Sequence, residues 1–251
     1  QLKDVVKGKD IIIHLAALVG FPVCRMNPSL AVDINVTGTN NLIDVCGEEQ
    51  IIFYGSTGSN YGEVFEICTE ETPLKPLSLY GETKTQAELM ILARKNSIAY
   101  RFATAFGISP RMRLDLLIND FTNKCLKDGY LVVYEKSFMR TFIHVSDMAN
   151  SFIFGVNNVN RMLGEVYNVG DESMNYSKED VCEMISKKTT AFVHYEEVGE
   201  DIDKRNYIVS YDKIKNLGFS ISVGLEEGVE QIINALQVVQ FNNSYSNARY
   251  F

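Results

Sequence analysis

Residues 51–62 read Ile51-Ile52-Phe53-Tyr54-Gly55-Ser56-Thr57-Gly58-Ser59-Asn60-Tyr61-Gly62. The first four are large and apolar without alternation, which is typical of a strand covered on both faces of a parallel sheet. Glycines and hydroxyl side chains follow directly. Open α/β sheets bind their ligands beyond the carboxyl ends of their strands. The stretch therefore predicts a central strand that carries Ser56 and Thr57 to a binding crevice.

The segments on either side alternate between strand and helix patterns. Upstream, residues 10–15 are another apolar run, and residues 28–46 carry apolar side chains at helical spacing. Downstream, residues 78–95 predict a helix and residues 98–106 a third strand. Strands that alternate with helices indicate βαβ units. The sequence therefore predicts an α/β fold with a parallel sheet.

The pattern is less regular beyond residue 110. The segments with helical or strand patterns are, in chain order, 116–126, 130–134, 142–145, 147–156, 166–169 and 177–189. Between the first two βαβ units, residues 64–76 contain two prolines and are predicted to form a loop.

Composition and charge argue against several classes of protein. The 251 residues are 46% hydrophobic and 22% charged, which is typical of a globular chain. A net charge of −8 without a basic cluster argues against a nucleic-acid partner. No apolar stretch is long enough to span a bilayer, so no membrane partner is predicted.

Cysteine and histidine spacing argues against disulfides and metal sites. The five cysteines are scattered and form no C-x-x-C pair, which indicates reduced thiols and a cytoplasmic protein. The three histidines lie far apart, without zinc-type spacing, so no metal site is predicted. We expect His14 and His144 to be buried, hydrogen-bonded structural residues.

Tyr80 and Lys84 form the main candidate for catalysis. Residues four apart share one face of a helix. A nearby ammonium favours the phenolate and lowers the tyrosine pKa from about 10 toward the range of a general base. Tyr211 and Lys215 have the same spacing, so the pattern alone decides little. Only Tyr80 follows a strand that ends in hydroxyls, and we expect Tyr211 to pack on a surface helix.

Gly55 and Gly58 have a spacing that could belong to a phosphate-binding loop. Such a loop requires a helix directly behind it. Because a loop is predicted over residues 64–76 instead, we reject a phosphate loop at this position.

Several motifs in a fixed order resemble those of a known family. They are His14-Leu15-Ala16-Ala17, Asn35-Val36-Thr37-Gly38-Thr39-Asn40, Ser56-Thr57 with Tyr61-Gly62, Tyr80-x-x-x-Lys84, Arg101-Phe102-Ala103-Thr104-Ala105-Phe106-Gly107 and Arg140-Thr141-Phe142-Ile143-His144-Val145-x-Asp147. The chain resembles the extended short-chain dehydrogenases/reductases that act on nucleotide sugars and is similar to the UDP-galactose 4-epimerases. Residues 109–113 and 199–205 look most like those of GDP-heptose C4 dehydrogenases.

This resemblance implies a domain organisation. The fold would be a Rossmann-like, doubly wound parallel sheet with a small C-terminal substrate lobe. Residues 1–110 would form an NAD-binding domain that is incomplete at its N-terminus. Residues 111–251 would form mainly the substrate lobe, with some segments returning to the first domain.

The resemblance also implies NAD as the cofactor and assigns roles at its site. Tyr80 would be the catalytic base, Lys84 would bind the nicotinamide ribose, and Thr57 would hydrogen bond the reacting sugar oxygen. The implied cofactor-binding residues are Leu15, Ala16, Ala17, Asn35, Ser56, Tyr80, Lys84 and Ala103. For residues 15–17, plain core packing is the alternative.

The implied substrate is a nucleotide-diphosphate sugar, linked to GDP or UDP. The residues that would bind it are Thr57, Thr104, Asn119, Val133, Tyr134, Arg140, Asp203 and Arg205. Arg140 would face the phosphates, where a guanidinium can pair in bidentate fashion, and a surface salt bridge is the alternative. We also expect a homodimer or a higher homo-oligomer.

Three departures from the family pattern bear on these roles. The glycine-rich loop that receives the cofactor pyrophosphate at a helix N-terminus is not among the 251 residues. We expect it roughly 60 residues upstream of Gln1, since a βαβ unit occupies about 30 residues. Thr104 stands where the family usually has Asn. The usual Arg-x-Gly-Asp pattern is broken around Lys204 and Arg205.

The sequence thus predicts an enzyme that uses NAD to oxidise the C4 hydroxyl of a nucleotide-activated sugar, as a 4-dehydrogenase or a 4-epimerase. The alternative is a non-catalytic protein of the same fold that binds NAD or a nucleotide sugar. We do not expect a 4,6-dehydration. Dehydratases that resemble this family carry an Asp-Glu pair where this chain has Gly58 and Ser59.

Overall fold

The computed structural model describes residues 1–197 and 206–242. Its strands are Ile11–His14 (β1), Ile51–Thr57 (β2), Glu63–Cys68 (β3), Ser97–Phe102 (β4), Thr104–Phe106 (β5), Tyr130–Tyr134 (β6), Met139–His144 (β7), Glu165–Val169 (β8), Asn175–Ser177 (β9), Phe192–Glu196 (β10) and Asn206–Val209 (β11).

Eleven α-helices lie within the described residues. They are Leu2–Val6 (α1), Phe21–Met26 (α2), Pro28–Val32 (α3), Gly38–Val45 (α4), Leu79–Leu92 (α5), Leu117–Asp128 (α6), Val145–Asn157 (α7), Val159–Met162 (α8), Lys178–Thr189 (α9), Asp212–Lys215 (α10) and Leu225–Val238 (α11). A π-helical stretch over Asp33–Thr37 joins α3 to α4, so the predicted helix over 28–46 is continuous but not uniform. None of the described helices is both long and apolar enough to cross a membrane.

Within the described residues, a parallel sheet of four strands forms the centre of the fold, in the order β1-β2-β4-β8. Every residue of β4 is buried, as expected for a strand covered on both faces. β8 lies far along the chain and pairs with β4 from the outer side. This sheet confirms the predicted α/β fold.

Helices cover both faces of the sheet because successive strand side chains point to opposite sides. On one face, Ala87 and Ile91 of α5 pack against Tyr54 of β2. On the other face, Phe152 of α7 packs edge-on against Phe53, the neighbour of Tyr54. The chain is therefore wound on both sides of its sheet.

A second apolar cluster lies beyond the sheet. It is built from α6, α9, α11, β6 and β7, and its fully buried members include Phe142, Val181 and Ile232. β6 pairs in parallel with β10, and β7 pairs with both β5 and β9. The division of the chain at residue 110 remains a prediction.

Two predictions, one of a loop and one of a strand, were wrong because strand pairing is decided by residues far apart in the sequence. The predicted loop over 64–76 contains β3, which pairs in parallel with β11. Its partner lies so far along the chain that no local pattern could show it. The predicted strand over 98–106 is broken at Ala103, because β4 pairs inside the central sheet whereas β5 pairs with β7.

Tyr211 is a further correction. It is fully buried instead of lying on a surface helix, and its ring belongs to the main apolar cluster beneath the sheet. Its hydroxyl forms a hydrogen bond with the buried Thr141 side chain. Burial raises the pKa of Tyr211 well above its ordinary value, so this tyrosine is neutral at physiological pH.

Replacing Tyr211 by Phe should lower the free energy of unfolding by about 1–3 kcal/mol, because the buried Thr141 hydroxyl loses its partner. Urea denaturation measures this change. Tyr130→Phe is the matched control, because Tyr130 is 59% exposed and should change stability by less than about 0.5 kcal/mol. Equal stability of the Tyr211→Phe variant and the wild type would show that the buried hydrogen bond contributes nothing.

Candidate functional site

A cavity of about 1040 Å³ lies at the carboxyl ends of β1, β2 and β4. Small-molecule sites usually measure about 300–1,000 Å³, so this cavity is large enough for a dinucleotide. Its wall comes from the loop after β1, the end of β2, the start of α5, the residues after β4 and one side of α7. The edge is the one that parallel pairing predicts.

Residues 57–59, which we call the hydroxyl turn, form the floor of the cavity at the end of β2. The Thr57 side-chain oxygen accepts a hydrogen bond from the Ser59 backbone N–H at 3.1 Å. The Thr57 hydroxyl also lies 3.1 Å from the Ser59 hydroxyl. A 3-10 turn and then β3 follow Gly58, in the place where a phosphate loop would require a helix. Thr57 and Ser59 both line the cavity.

The first turn of α5 packs directly against the hydroxyl turn. Ser78 caps the helix by accepting a hydrogen bond from the Gly81 N–H at 3.2 Å. A Cβ at position 81 would lie 2.8 Å from the Pro76 Cβ and 3.2 Å from the Ser59 carbonyl oxygen. Only glycine permits this approach, and no motif in the sequence predicted it.

Tyr80 and Lys84, which we call the tyrosine–lysine pair, reach the cavity wall through this packing. Lys84 is 3% exposed, and its Nζ lies 4.1 Å from the centroid of the Tyr54 ring. Burial lowers the pKa of Lys84 to about 7, although the charge of Glu88 acts in the opposite direction. Lys84 can therefore gain or lose a proton near neutral pH.

Both predicted structural histidines are buried and hydrogen bonded. His14 Nε2 lies 2.9 Å from the Thr39 hydroxyl. Burial, followed by the charge of Lys84, lowers the pKa of His14 to about 4, so this ring is neutral. His144 Nδ1 accepts a hydrogen bond from the Ser146 N–H at 3.3 Å.

The predicted residues after β1 divide into two groups. Leu15 and Ala17 line the cavity, whereas Ala16 is exposed away from its wall. Asn35 is also outside the wall. Its side chain accepts a hydrogen bond from the Leu18 N–H at 2.7 Å and donates to the Leu18 carbonyl at 3.1 Å. Asn35 thus holds the loop that carries the lining residues.

Ala103, between β4 and β5, and Thr104, the first residue of β5, also line the cavity. The Ala103 N–H donates to the Val169 carbonyl at 3.2 Å. Ser56 lies nearby in the wall, but its hydroxyl donates to the buried Glu88 carboxylate at 2.5 Å.

Arg113 also lines the cavity, although no role was predicted for it from the sequence. Its guanidinium pairs with Asp115 through contacts of 3.1 and 2.5 Å. Among the described residues of the wall, Lys84 and Arg113 are the cationic side chains, and none is Asp or Glu. Because Asp115 balances the charge of Arg113, Lys84 is the group of this wall that would attract an anionic ligand. The position of Arg113 within residues 109–113, which resemble a family motif, was the signal in the sequence that could have predicted this residue as part of the site.

Four predicted substrate residues lie outside the cavity wall. The Asn119 amide binds the N–H and carbonyl of Gly107 and the Arg113 carbonyl. Val133 is buried in the second apolar cluster, and Tyr134 is 37% exposed at the end of β6. Arg140 is 2% exposed and is therefore not a surface residue. Asp203 and Arg205 lie outside the described residues.

No group of three His, Cys, Asp or Glu side chains within residues 1–197 and 206–242 could hold a metal ion. The five cysteines are buried free thiols. The wall of the site consists of hydroxyl side chains, Tyr80, the cationic Lys84 and Arg113, and apolar residues along α7.

Sequence comparison shows which proteins are similar to the chain. A putative UDP-glucose 4-epimerase of Methanocaldococcus jannaschii is 27% identical over 242 residues, which are 91% of this chain and 77% of that protein. A dTDP-glucose 4,6-dehydratase of Streptomyces griseus is 30% identical over 239 residues, with 90% and 71% covered.

Solved structures give the same picture. MoeE5 in complex with UDP-glucose and NAD superposes with a TM-score of 0.83 at 26% identity, covering 94% of this chain and 82% of MoeE5. UDP-glucuronic acid 4-epimerase from Bacillus cereus, in complex with UDP-glucuronic acid and NAD, also gives a TM-score of 0.83. Its identity is 23%, with 94% of this chain and 78% of the epimerase covered, so this second match shows the fold alone.

A match to the sequence model of a protein family shows the family of this chain. The family model matches residues 1–170, which is more than half of the chain and includes the hydroxyl turn and the tyrosine–lysine pair. The chain belongs to the NAD dependent epimerase/dehydratase family.

Proposed function

We propose that the protein uses NAD to oxidise the C4 hydroxyl of a nucleotide-diphosphate sugar, as a 4-dehydrogenase or a 4-epimerase. The observation that carries this proposal is the position of Thr57, Tyr80 and Lys84 on the wall of one cavity. A protein that only binds nucleotide sugars has no need of a tyrosine beside a buried lysine and a hydroxyl.

The proposed chemistry begins with proton removal. Tyr80 accepts the proton of the sugar hydroxyl on its phenolic oxygen, and Thr57 orients that hydroxyl by a hydrogen bond. The Lys84 ammonium favours the phenolate and binds the ribose of the cofactor. When bound, NAD supplies the hydride acceptor. General-base assistance of this kind contributes about 10²–10⁴-fold to a rate.

The residues of the wall fit a nicotinamide cofactor. Leu15, Ala17 and Ala103 would line it, and the small alanine side chains let a flat ring approach the backbone. Ser56 would contribute through its backbone, because its hydroxyl is hydrogen bonded to Glu88. Ala16 and Asn35 would act through the loop that they shape, not by direct contact.

We propose a uridine-linked sugar as the first substrate class to examine. MoeE5 was solved with UDP-glucose and with UDP-glucuronic acid, and the Lys84 ammonium in this cavity suits an anionic ligand. Thr104 would contact the sugar. Asn119, Val133, Tyr134, Arg140, Asp203 and Arg205 are proposed for the nucleotide diphosphate, which would extend beyond the cavity.

We also propose that the enzyme is a cytoplasmic homodimer or higher homo-oligomer. Leu89 of α5 is 61% exposed, which leaves apolar surface available to a second copy. Analytical ultracentrifugation of the full-length protein measures the oligomeric state directly.

Tyr80→Phe should abolish hydride transfer and leave the affinity for the nucleotide sugar within a few-fold, because only the phenolic oxygen is removed. UDP-glucose and UDP-glucuronic acid serve as probes with the full-length protein and NAD. Reduced nicotinamide is followed by absorbance in single turnover, and affinity is measured by calorimetry. Tyr130→Phe is the control, since Tyr130 is exposed and lies outside the cavity. Turnover of Tyr80→Phe close to that of the wild type would contradict the proposed base.

The pH profile should report the charge of Lys84. Its pKa is lowered to about 7, so the ammonium is present below that pH and is lost as the pH rises through it. We therefore expect kcat/KM to fall as the pH rises through about 7. In Lys84→Arg this limb should disappear, because a guanidinium stays charged throughout the range. A limb that persists unchanged in Lys84→Arg belongs to another group.

Elimination of the C6 hydroxyl should be absent. That reaction needs a base for the C5 proton and an acid for the leaving hydroxyl. Gly58 supplies neither group, and a Cβ there would lie 3.3 Å from the Tyr207 hydroxyl and 3.4 Å from the Phe102 carbonyl oxygen, so even a small side chain would press on these neighbours. Glu63 and Glu66 are exposed on β3, outside the cavity wall.

The reaction of the full-length enzyme with UDP-glucose, which carries a C6 hydroxyl, in deuterated water tests this expectation. The expected products contain no 6-deoxy-4-keto sugar. A 6-deoxy-4-keto product with deuterium at C5 would make the protein a dehydratase.

A further inference from the structure

Glu88 is a buried carboxylate that the proposed chemistry does not use. It is fully buried on α5, one turn beyond Lys84, and it is not part of the cavity wall. Isolated buried carboxylates are costly, so its partners indicate its role.

Three side chains from other elements converge on this carboxylate. Arg101 of β4 binds it through Nε at 3.0 Å and Nη2 at 2.6 Å. The Ser56 hydroxyl donates to it at 2.5 Å and the Asn60 amide at 3.2 Å. Arg101 balances the charge and also binds the Tyr61 hydroxyl at 3.0 Å. The carboxylate is therefore paired and hydrogen bonded.

The two neutral partners flank the hydroxyl turn. Ser56 precedes the turn and Asn60 follows it, and the Asn60 amide also donates to the Ser56 hydroxyl at 3.2 Å. Both ends of the turn are thus tied to one oxygen atom of Glu88. Because Glu88 belongs to the helix that carries the tyrosine–lysine pair, these bonds join the two halves of the candidate site.

We propose that Glu88 is a positioning residue that locks the hydroxyl turn to α5 and so sets the position of Thr57 relative to the tyrosine–lysine pair. This inference rests on the proposed function. A proton transfer depends steeply on geometry, and a misplacement of about 1 Å can cost about 10²-fold in rate. The charge of Glu88 also raises the pKa of Lys84, which helps the buried ammonium to keep its proton.

Two variants test the proposal through different atoms. Ser56→Ala removes one hydrogen bond to the carboxylate without altering any charge, and Glu88→Gln removes the charge. In the full-length enzyme with NAD and UDP-glucuronic acid or UDP-glucose, each should lower kcat by roughly tenfold or more. KM should stay within about threefold, because neither change removes a group proposed to touch the substrate. Glu82→Gln, on the exposed side of α5, is the matched control and should leave both constants unchanged.

A double-mutant cycle separates positioning from general weakening of the fold. If Ser56 acts through Glu88, the double variant should lose little more kcat than Glu88→Gln alone. Additive losses in kcat would overturn the proposal, and so would values of kcat within twofold of the wild type for both single variants.

Folding failure does not leave the question open. Breaking a buried ion pair is strongly destabilising, so Glu88→Gln can fail to fold. Ser56→Ala and Asn60→Ala then decide: a selective loss of kcat in both supports positioning, and normal kcat in both shows that Glu88 only stabilises the fold. Tyr80→Phe is measured in parallel. If Tyr80→Phe retains full turnover, the proposed function fails. If Tyr80→Phe loses turnover while Ser56→Ala keeps a normal kcat, only the role of Glu88 is overturned.

Discussion

Parallel pairing of β1, β2 and β4 is the constraint on which the site depends. It brings the carboxyl ends of these strands to one edge, where three loops from distant parts of the sequence meet. The hydroxyl turn follows one strand, and Ala103 follows its neighbour. Gly81 then allows α5 to approach the hydroxyl turn closely. A candidate site thus arises from strand direction and one close helix contact.

Burial gives this edge its chemical character. Lys84 is held over an aromatic ring in a nearly solvent-free position, where desolvation lowers its pKa toward neutrality. The same burial keeps His14 neutral beside it, so His14 adds no positive charge next to the ammonium. Glu88 and Arg101 form a compensated pair beneath it. In this low-dielectric environment, the electrostatic interactions between these charges are stronger than they would be in water.

The sequence predicted the central sheet, whereas the roles of the site residues stay predictions. The apolar runs of β2 and β4 are local patterns and indicated the parallel strands, and the spacing of Tyr80 and Lys84 indicated one face of a helix. Contacts between distant segments were not accessible: β3 pairs with β11, and Tyr211 is buried against Thr141. Asn35 was expected to bind the cofactor, but its amide is used by the Leu18 backbone. A motif shows which residues matter but not whether they contact a ligand or hold a loop.

The most direct test of C4 oxidation follows the hydrogen itself. UDP-glucose and UDP-glucuronic acid carrying deuterium at C4 would be mixed with the full-length enzyme and NAD, and the nicotinamide analysed by mass spectrometry after rapid quenching. We predict that, with the sugar that is the substrate, the label moves to the nicotinamide ring, transiently for an epimerase and lastingly for a dehydrogenase. If one of these sugars is converted to product while its deuterium never reaches the nicotinamide, the claim of C4 oxidation is wrong.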